Sequence, residues 1–289
     1  MDASLNIYLI QALHGIVYGM LLFLVASGLT LVFGMMEILN MAHAGFYMLG
    51  AYFTYSITIW SGNFWLSLLL APIAVGIVGA LVERFLLRKV HRFGHVHDLL
   101  LTFGVFYIVG EIVKWFWGND PLRVPVPPSL SGSILIMEFT YPVYRLFILL
   151  VAVLILLIMA ILIMRTRIGI TIRASVSDGE MVEALGTNVQ IVFLGVFSIG
   201  SALAGLGGVI AAPFLSTYPG MGFDIMIDTF VVIVIGGFGS LMGAFVASLM
   251  IGELQSFGIQ FLPRLALVFE FLLMAIVLIA RPTGLFGEK

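Results

Sequence analysis

Three stretches hold residue types that could do chemistry. HRFGHVHD carries His91, His95, His97 and Asp98, imidazoles and a carboxylate of the kind that ligate zinc. It lacks the HExxH spacing that sets two ligands and a base on one helix face, and a short positively charged loop is a common setting for solvated histidines. VVIVIGGFGSLMG (231–243) looks like a strand entering a dinucleotide turn, but Met242 stands at the sixth position and no βαβ pattern surrounds it. Glycines in such a run suit a helix break or close packing, because they let neighbouring backbones approach. EILNMAHAGFYMLGAY (37–52) sets Glu37, Asn40 and His43 between two apolar runs. Polar groups at membrane depth are expensive unless they face a cavity or a partner, so Asn40 and His43 are functional candidates; the plain alternative is a solvated turn. No Ser/His/Asp arrangement is recognisable by spacing, so hydrolysis has no positive support.

The elements that position these residues are membrane helices. The 289 residues are 62% hydrophobic and only 10% charged, with a mean hydropathy of +1.18. Several apolar runs approach the roughly 20 residues that a bilayer-crossing helix needs. Too few polar side chains remain to coat a solvated domain, so residues 1–289 read as a single membrane domain. The absence of cysteine excludes disulfides, thiolate metal sites and cysteine nucleophiles. The net charge of −2 says nothing about nucleic acid, because Lys and Arg are confined to a few loops and form no basic face, and no nucleic-acid partner is expected. The first apolar run has no preceding Lys/Arg cluster and is too long for a signal-peptide core, so no cleavage is expected.

The apolar runs are Ile7–Phe33, Phe46–Trp60, Trp65–Leu87, Leu99–Trp117, Tyr144–Met164, Val189–Ala212, Ile225–Gly252 and Leu262–Ala280. The expectation is an all-α membrane protein of about eight segments, within a range of seven to nine. Phe46–Trp60 is short for a crossing and leaves room for a helix that starts inside the membrane. Arg84, Arg88, Lys89 and Arg92 in one connection, and Arg165, Arg167 and Arg173 in another, place both in the cytoplasm. The proline-rich 118–143 loop reads as an extended outer loop. Counting back puts Met1 outside. Eight plain crossings leave Arg281 and Lys289 outside as well, which is uncomfortable for Arg281. Reading Ile225–Gly252 as broken around Gly236–Gly243 resolves the conflict, and non-helical backbone at depth hints at a pathway. Broken or re-entrant elements are thus expected near 35–46 and 236–243.

The connection TRIGITIRASVSDGEMVEALGTNVQ (166–190) contains a predicted amphipathic helix over Ala174–Leu185, with Asp178, Glu180 and Glu183 on its polar side and Gly186 as its stop. A helix lying on an anionic leaflet should be basic, so this acidic one suits a partner protein better. Other polar residues are scattered. Glu111 and Lys114 can neutralise one another at i,i+3, while Asp224 with Asp228, Glu253 and Glu270 are assigned to span ends.

Four segments in order resemble the membrane permease subunits of branched-chain amino acid ABC importers, of the LivH type. GLTLVFGMMEILNMAHAGFYMLGAY (28–52) is similar to the family's first signature and TRIGITIRASVSDGEMVEALGTNV (166–189) to its coupling segment. VVIVIGGFGSLMGAF (231–245) is similar to its glycine motif and ARPTGLFGE (280–288) to its tail. The likeness covers essentially the whole chain. One departure stands out: Ala44 replaces a usual glycine.

The resemblance implies an ABC importer permease fold in a bacterial inner membrane, with no catalysis and no cofactor on this chain. ATP and Mg would sit on partner subunits. Its implied partners are a second related permease, two cytoplasmic ATPases, a periplasmic or extracellular solute-binding protein and the lipid membrane. Asn40, His43, Gly45, Gly236, Gly237 and Gly239 would belong to the translocation pathway. Arg173, Ala174, Asp178, Glu180, Glu183, Ala184, Leu185 and Gly186 would couple to an ATPase, within a segment spanning 166–188. The solute would be a branched-chain amino acid or a related small polar or amphipathic molecule. Relatives handle urea, amides and aromatic acids, which are alternatives, and a stand-alone carrier or an intramembrane metal-dependent hydrolase is the competing class.

Overall fold

The computed structural model describes residues 3–136 and 139–287. Met1, Asp2 and Lys289, which carry part of the orientation reading, and Glu288 of the tail motif lie outside the described residues. A backbone in lipid must satisfy its hydrogen bonds internally, and the chain does so almost wholly as helix. The order is α1 (Ala3–Met36), α2 (Ala42–Ser61), α3 (Phe64–Val82), a π-helical turn (Glu83–Leu87), α4 (Arg88–Val90) and α5 (His95–Trp117). A hairpin of β1 (Ser133–Ile136) and β2 (Phe139–Pro142) follows. The rest is α6 (Val143–Arg165), α7 (Arg167–Ser177), α8 (Gly179–Ala184), α9 (Val189–Ala211), α10 (Met221–Gly236), α11 (Leu241–Phe261) and α12 (Ala266–Ala280).

Seven helices among the described residues are long and apolar enough to cross a membrane. α2 and the shorter α10 join them. The expected run Ile225–Gly252 is two helices, α10 and α11, parted by a turn at 237–240. That extra reversal returns the described C-terminal residues to the face of the basic loops. The outer loop, expected to be extended, instead holds the β1–β2 hairpin, with Ser133 opposite Pro142 and Ile136 opposite Phe139.

The two faces are internally consistent. On one, Arg88 pairs with Glu83 (Nη2–Oε2 2.9 Å) and also donates to the Gln190 carbonyl, tying the 84–97 connection to the start of α9. On the other, Leu122 and Thr217 form a β-bridge between the α5–α6 loop and the α9–α10 loop. All four tryptophans, Trp60, Trp65, Trp115 and Trp117, lie at helix ends on this second face, where an aromatic belt belongs.

α1 is the central post. Leu21, Leu22, Phe23, Leu24 and Ala26 are fully buried on consecutive sides, the mark of a helix enclosed all round. It packs on α11, α9, α6 and α10, while α2 packs on α9, α3 and α5. Close approach is made by small residues. A Cβ on Gly50 would strike the Gly205 backbone, and one on Gly208 would strike the Tyr47 carbonyl. Outside this core, Leu69, Ile77, Leu150, Leu154 and Ile279 point outward as a lipid-facing shell.

Candidate functional site

The stretch 37–43 is a discontinuous element at membrane depth. α1 ends where Glu37 turns left-handed (φ 53°), its N–H still bonded to the Phe33 carbonyl at 2.9 Å. His43 Nε2 then donates to the Val25 carbonyl at 2.9 Å. Val25 lies about 16 Å back along α1 from Met36 at a 1.5 Å rise per residue. Residues 37–41 therefore run back beside α1, and α2, 20 residues long where the apolar run Phe46–Trp60 suggested a shorter helix, starts level with the middle of α1. Thr102 of α5 serves the irregular backbone, accepting from the Met41 N–H and donating to the Leu39 carbonyl, both at 3.3 Å. The helix is regular through Ala44. The bend lies at Glu37, away from the position where Ala replaces Gly.

Asn40 has no exposure and His43 only 1%, so the solvated-turn alternative does not hold. Both side-chain atoms of Asn40, His43 Nδ1 and Thr229 Oγ1 of α10 lack partners, and these residues line a cavity of about 10 Å³. That is the scale of one water molecule. Gly45 faces Val109 and Phe106 of α5, where a Cβ would meet their side chains at ordinary contact distances of 3.4–3.5 Å.

Gly236, Gly237 and Gly239 form the turn between α10 and α11. Gly236 meets Gly243 backbone to backbone. Gly237 and Gly239 have φ of 97° and 77°, a region that disfavours side chains. The tail closes this turn: the N–H groups of Leu285 and Phe286 donate to the carbonyls of Ile235 and Gly236 at 2.8 and 3.0 Å, capping the free end of α10. Nothing in the linear spacing of the two motifs indicated that they touch.

The coupling segment departs from the expected single helix over Ala174–Leu185. Asp178 takes an extended conformation (φ −158°) and its Oδ1 accepts from the Met181 N–H at 2.9 Å, so it begins a second helix instead of lying on the polar side of the first. A short Asp can outcompete the i−4 carbonyl for a backbone N–H, which is why the helix divides there. Gly186 is the stop that was expected. Its φ is 89°, and Gly186 and Thr187 donate to the Glu183 and Val182 carbonyls. Glu180, Glu183, Ala184, Leu185 and Gly186 are exposed, as is Met181, while Val182 is buried beneath them. Ala174 is half-buried, and the exposed Arg173 donates back to the Ile163 carbonyl of α6.

A cavity of about 470 Å³ unites these parts on the basic face. Gly34 and Glu37 of the α1 end, Arg173 and Val176 of α7, Gly239 of the turn and Phe286 of the tail all line it. The histidine segment is separate: His91 Nδ1 donates to Asp98 Oδ2 at 2.7 Å, and Asp98 is fully buried. No group of three or more potential metal ligands exists among the described residues. At the opposite face Glu270 is 1% exposed and Asp228, midway along α10, 7% exposed, so neither sits at a solvated span end. Tyr218 donates to Asp224, which, with burial, pushes the tyrosine hydroxyl up to about 12 and keeps it a donor.

Residues 11–279 match the family model described as the branched-chain amino acid transport system permease component. The chain is 28% identical over 297 residues to the high-affinity branched-chain amino acid transport system permease protein BraD of Pseudomonas aeruginosa, covering 97% of this chain and 96% of that one. It is 27% identical over 302 residues to LivH of Salmonella typhimurium, with the same coverage of each chain. It is 26% identical over 290 residues to a probable LivH of Methanocaldococcus jannaschii, covering 94% and 90% respectively. No solved structure matches the chain significantly. On a match that runs nearly end to end, the chain belongs to the branched-chain amino acid transport permease family, as an all-α, multi-pass membrane protein.

Proposed function

We propose that this chain is the membrane permease of an ATP-driven importer in a bacterial inner membrane, forming half of the pathway for a branched-chain amino acid or a related small solute. The observation that carries this reading is the exposed hook of α8. Met181 and Leu185 are 57% and 78% exposed beside Glu180 and Glu183, on the basic and hence cytoplasmic face. A surface of exposed apolar and acidic groups suits a groove on a cytoplasmic ATPase, which would supply the ATP and Mg chemistry. α7 touches the α1 end and shares the inner cavity with the glycine turn, so displacement of the hook would reach both broken elements. In this reading Asn40, His43, Gly45 and the 236–239 turn are wall and hinge of the pathway. A second permease would supply the other half, and a solute-binding protein would dock on the tryptophan-bearing face.

Reconstitution with the partner permease, two ATPases and binding protein tests it. ATP-dependent leucine uptake is expected, and Gly186→Glu should leave ATP hydrolysis intact while abolishing uptake, because a side chain at φ 89° distorts the hook. Failure of the purified chain to bind any ATPase, or uptake that needs no ATP, overturns the reading.

A further inference from the structure

The face opposite the coupling hook holds acids that the permease reading leaves unused. Asp224 is exposed near the outer end of α10, bonded by Tyr218. One turn deeper, Asp228 is 7% exposed and accepts from the Tyr18 hydroxyl of α1 at 2.6 Å. It lies about 10 Å inward from Met221 at 1.5 Å per residue. Glu270 of α12 is 1% exposed, neither of its carboxyl oxygens has a partner, and it lies within electrostatic reach of Asp228 and Tyr18. Tyr47 of α2, itself 1% exposed, is within reach of Asp224, Asp228 and Tyr218. No Lys or Arg is among the charged groups that act on Tyr18, Tyr47, Asp228 or Glu270.

Carboxyl groups in a membrane core are costly, and an apolar pair would pack four helices at least as well. Asp224 is exposed, whereas Asp228 and Glu270 are enclosed by the helices. What they lack is a cation that brings several hydrogen-bond donors. A primary ammonium is such a group, with three N–H donors against the oxygens of Asp228, Glu270 and the two tyrosines. We propose that Asp228 and Glu270, framed by Tyr18 and Tyr47, form an intramembrane binding site for a primary ammonium group, the α-amino group of the transported solute. The identity of that solute rests on the permease reading; the site itself does not.

The test uses the purified full-length chain in lipid nanodiscs, titrated with isoamylamine, 4-methylpentanoate or ammonium chloride while Tm is followed. Isoamylamine should raise Tm saturably and 4-methylpentanoate should not. Glu270→Gln and Asp228→Asn should each weaken the isoamylamine response about tenfold or more, the scale of a lost charge-assisted hydrogen bond in a dry site. A comparable response to ammonium chloride supports the site and assigns it to the free ion, whereas a weaker one assigns it to the solute's amino group. Should neither variant fold, the wild-type chain still decides. Dicyclohexylcarbodiimide labelling of Glu270, read by peptide mass, should be blocked by isoamylamine and not by 4-methylpentanoate. An unsaturable wild-type response, unchanged affinity in folded variants, or labelling that the amine does not block overturns the site. Leucine uptake by the reconstituted importer is measured apart. Uptake without amine binding removes this site alone, and amine binding without uptake removes the transport reading alone.

Discussion

Asp178 offers the sharpest perturbation, because its charge and its cap can be separated. Its Oδ1 accepts the Met181 N–H at 2.9 Å and starts α8, a helix of six residues that local propensity alone cannot hold. Removing an N-cap costs about 1 kcal/mol, and Asn caps as well as Asp. At 1.4 kcal/mol per tenfold, Asp178→Ala should raise the opening of α8 roughly fivefold, while Asp178→Asn leaves it nearly unchanged. Hydrogen–deuterium exchange of the α8 amides in nanodiscs reads the opening, and affinity for the ATPase reads its consequence. The Ala variant should exchange faster and bind up to fivefold more weakly; the Asn variant should match wild type in both. If Asn weakens binding as much as Ala does, the partner reads the negative charge of Asp178, and the capping argument is wrong.

Two further outcomes follow from the packing. Gly208→Ala would place a Cβ 2.9 Å from the Ala51 nitrogen and closer still to the Tyr47 carbonyl, so it should destabilise the α2–α9 contact by about 1–3 kcal/mol; an unchanged Tm would show that the helices part freely. His43→Ala loses the bond to the Val25 carbonyl and a fully buried ring, a loss of roughly 2–4 kcal/mol, and uptake should fall only in proportion to the folded protein recovered. Uptake lost at full recovery would make His43 a solute contact.

Much of the architecture was legible because lipid leaves few options. Long apolar runs must be helices, and Lys and Arg must stay on one side, so segment positions and the break near Gly236 were readable without any tertiary information. Asn40 and His43 stood out for the same reason, as polar groups that an apolar chain has no cheap way to carry. Gly186 as a stop was equally plain, since a residue at positive φ after a short helix favours glycine. Charge pattern alone misread Asp178, Asp228 and Glu270. Asp178 looked like one more acid on a helix face, but a short side chain that reaches its own backbone decides helix boundaries by geometry. Glu270 looked like a span-end residue because its neighbours in sequence are apolar, and the packing of α12 on α10 and α11 encloses it.

The sequence by itself determined that this chain crosses a membrane many times, which side its basic loops take, and where its helices cannot continue. Contacts between remote segments belong to the tertiary structure alone. The tail caps α10 at Ile235 and Gly236, Thr102 of α5 supports the unwound backbone at 39–41, and α7 meets the glycine turn across one cavity. The physical reason is common to all three. A hydrophobic span fixes how far a helix reaches, but in lipid every outer apolar face is equally content, so which helices become neighbours is decided by glycine-scale fit and by the few polar groups that must find one another.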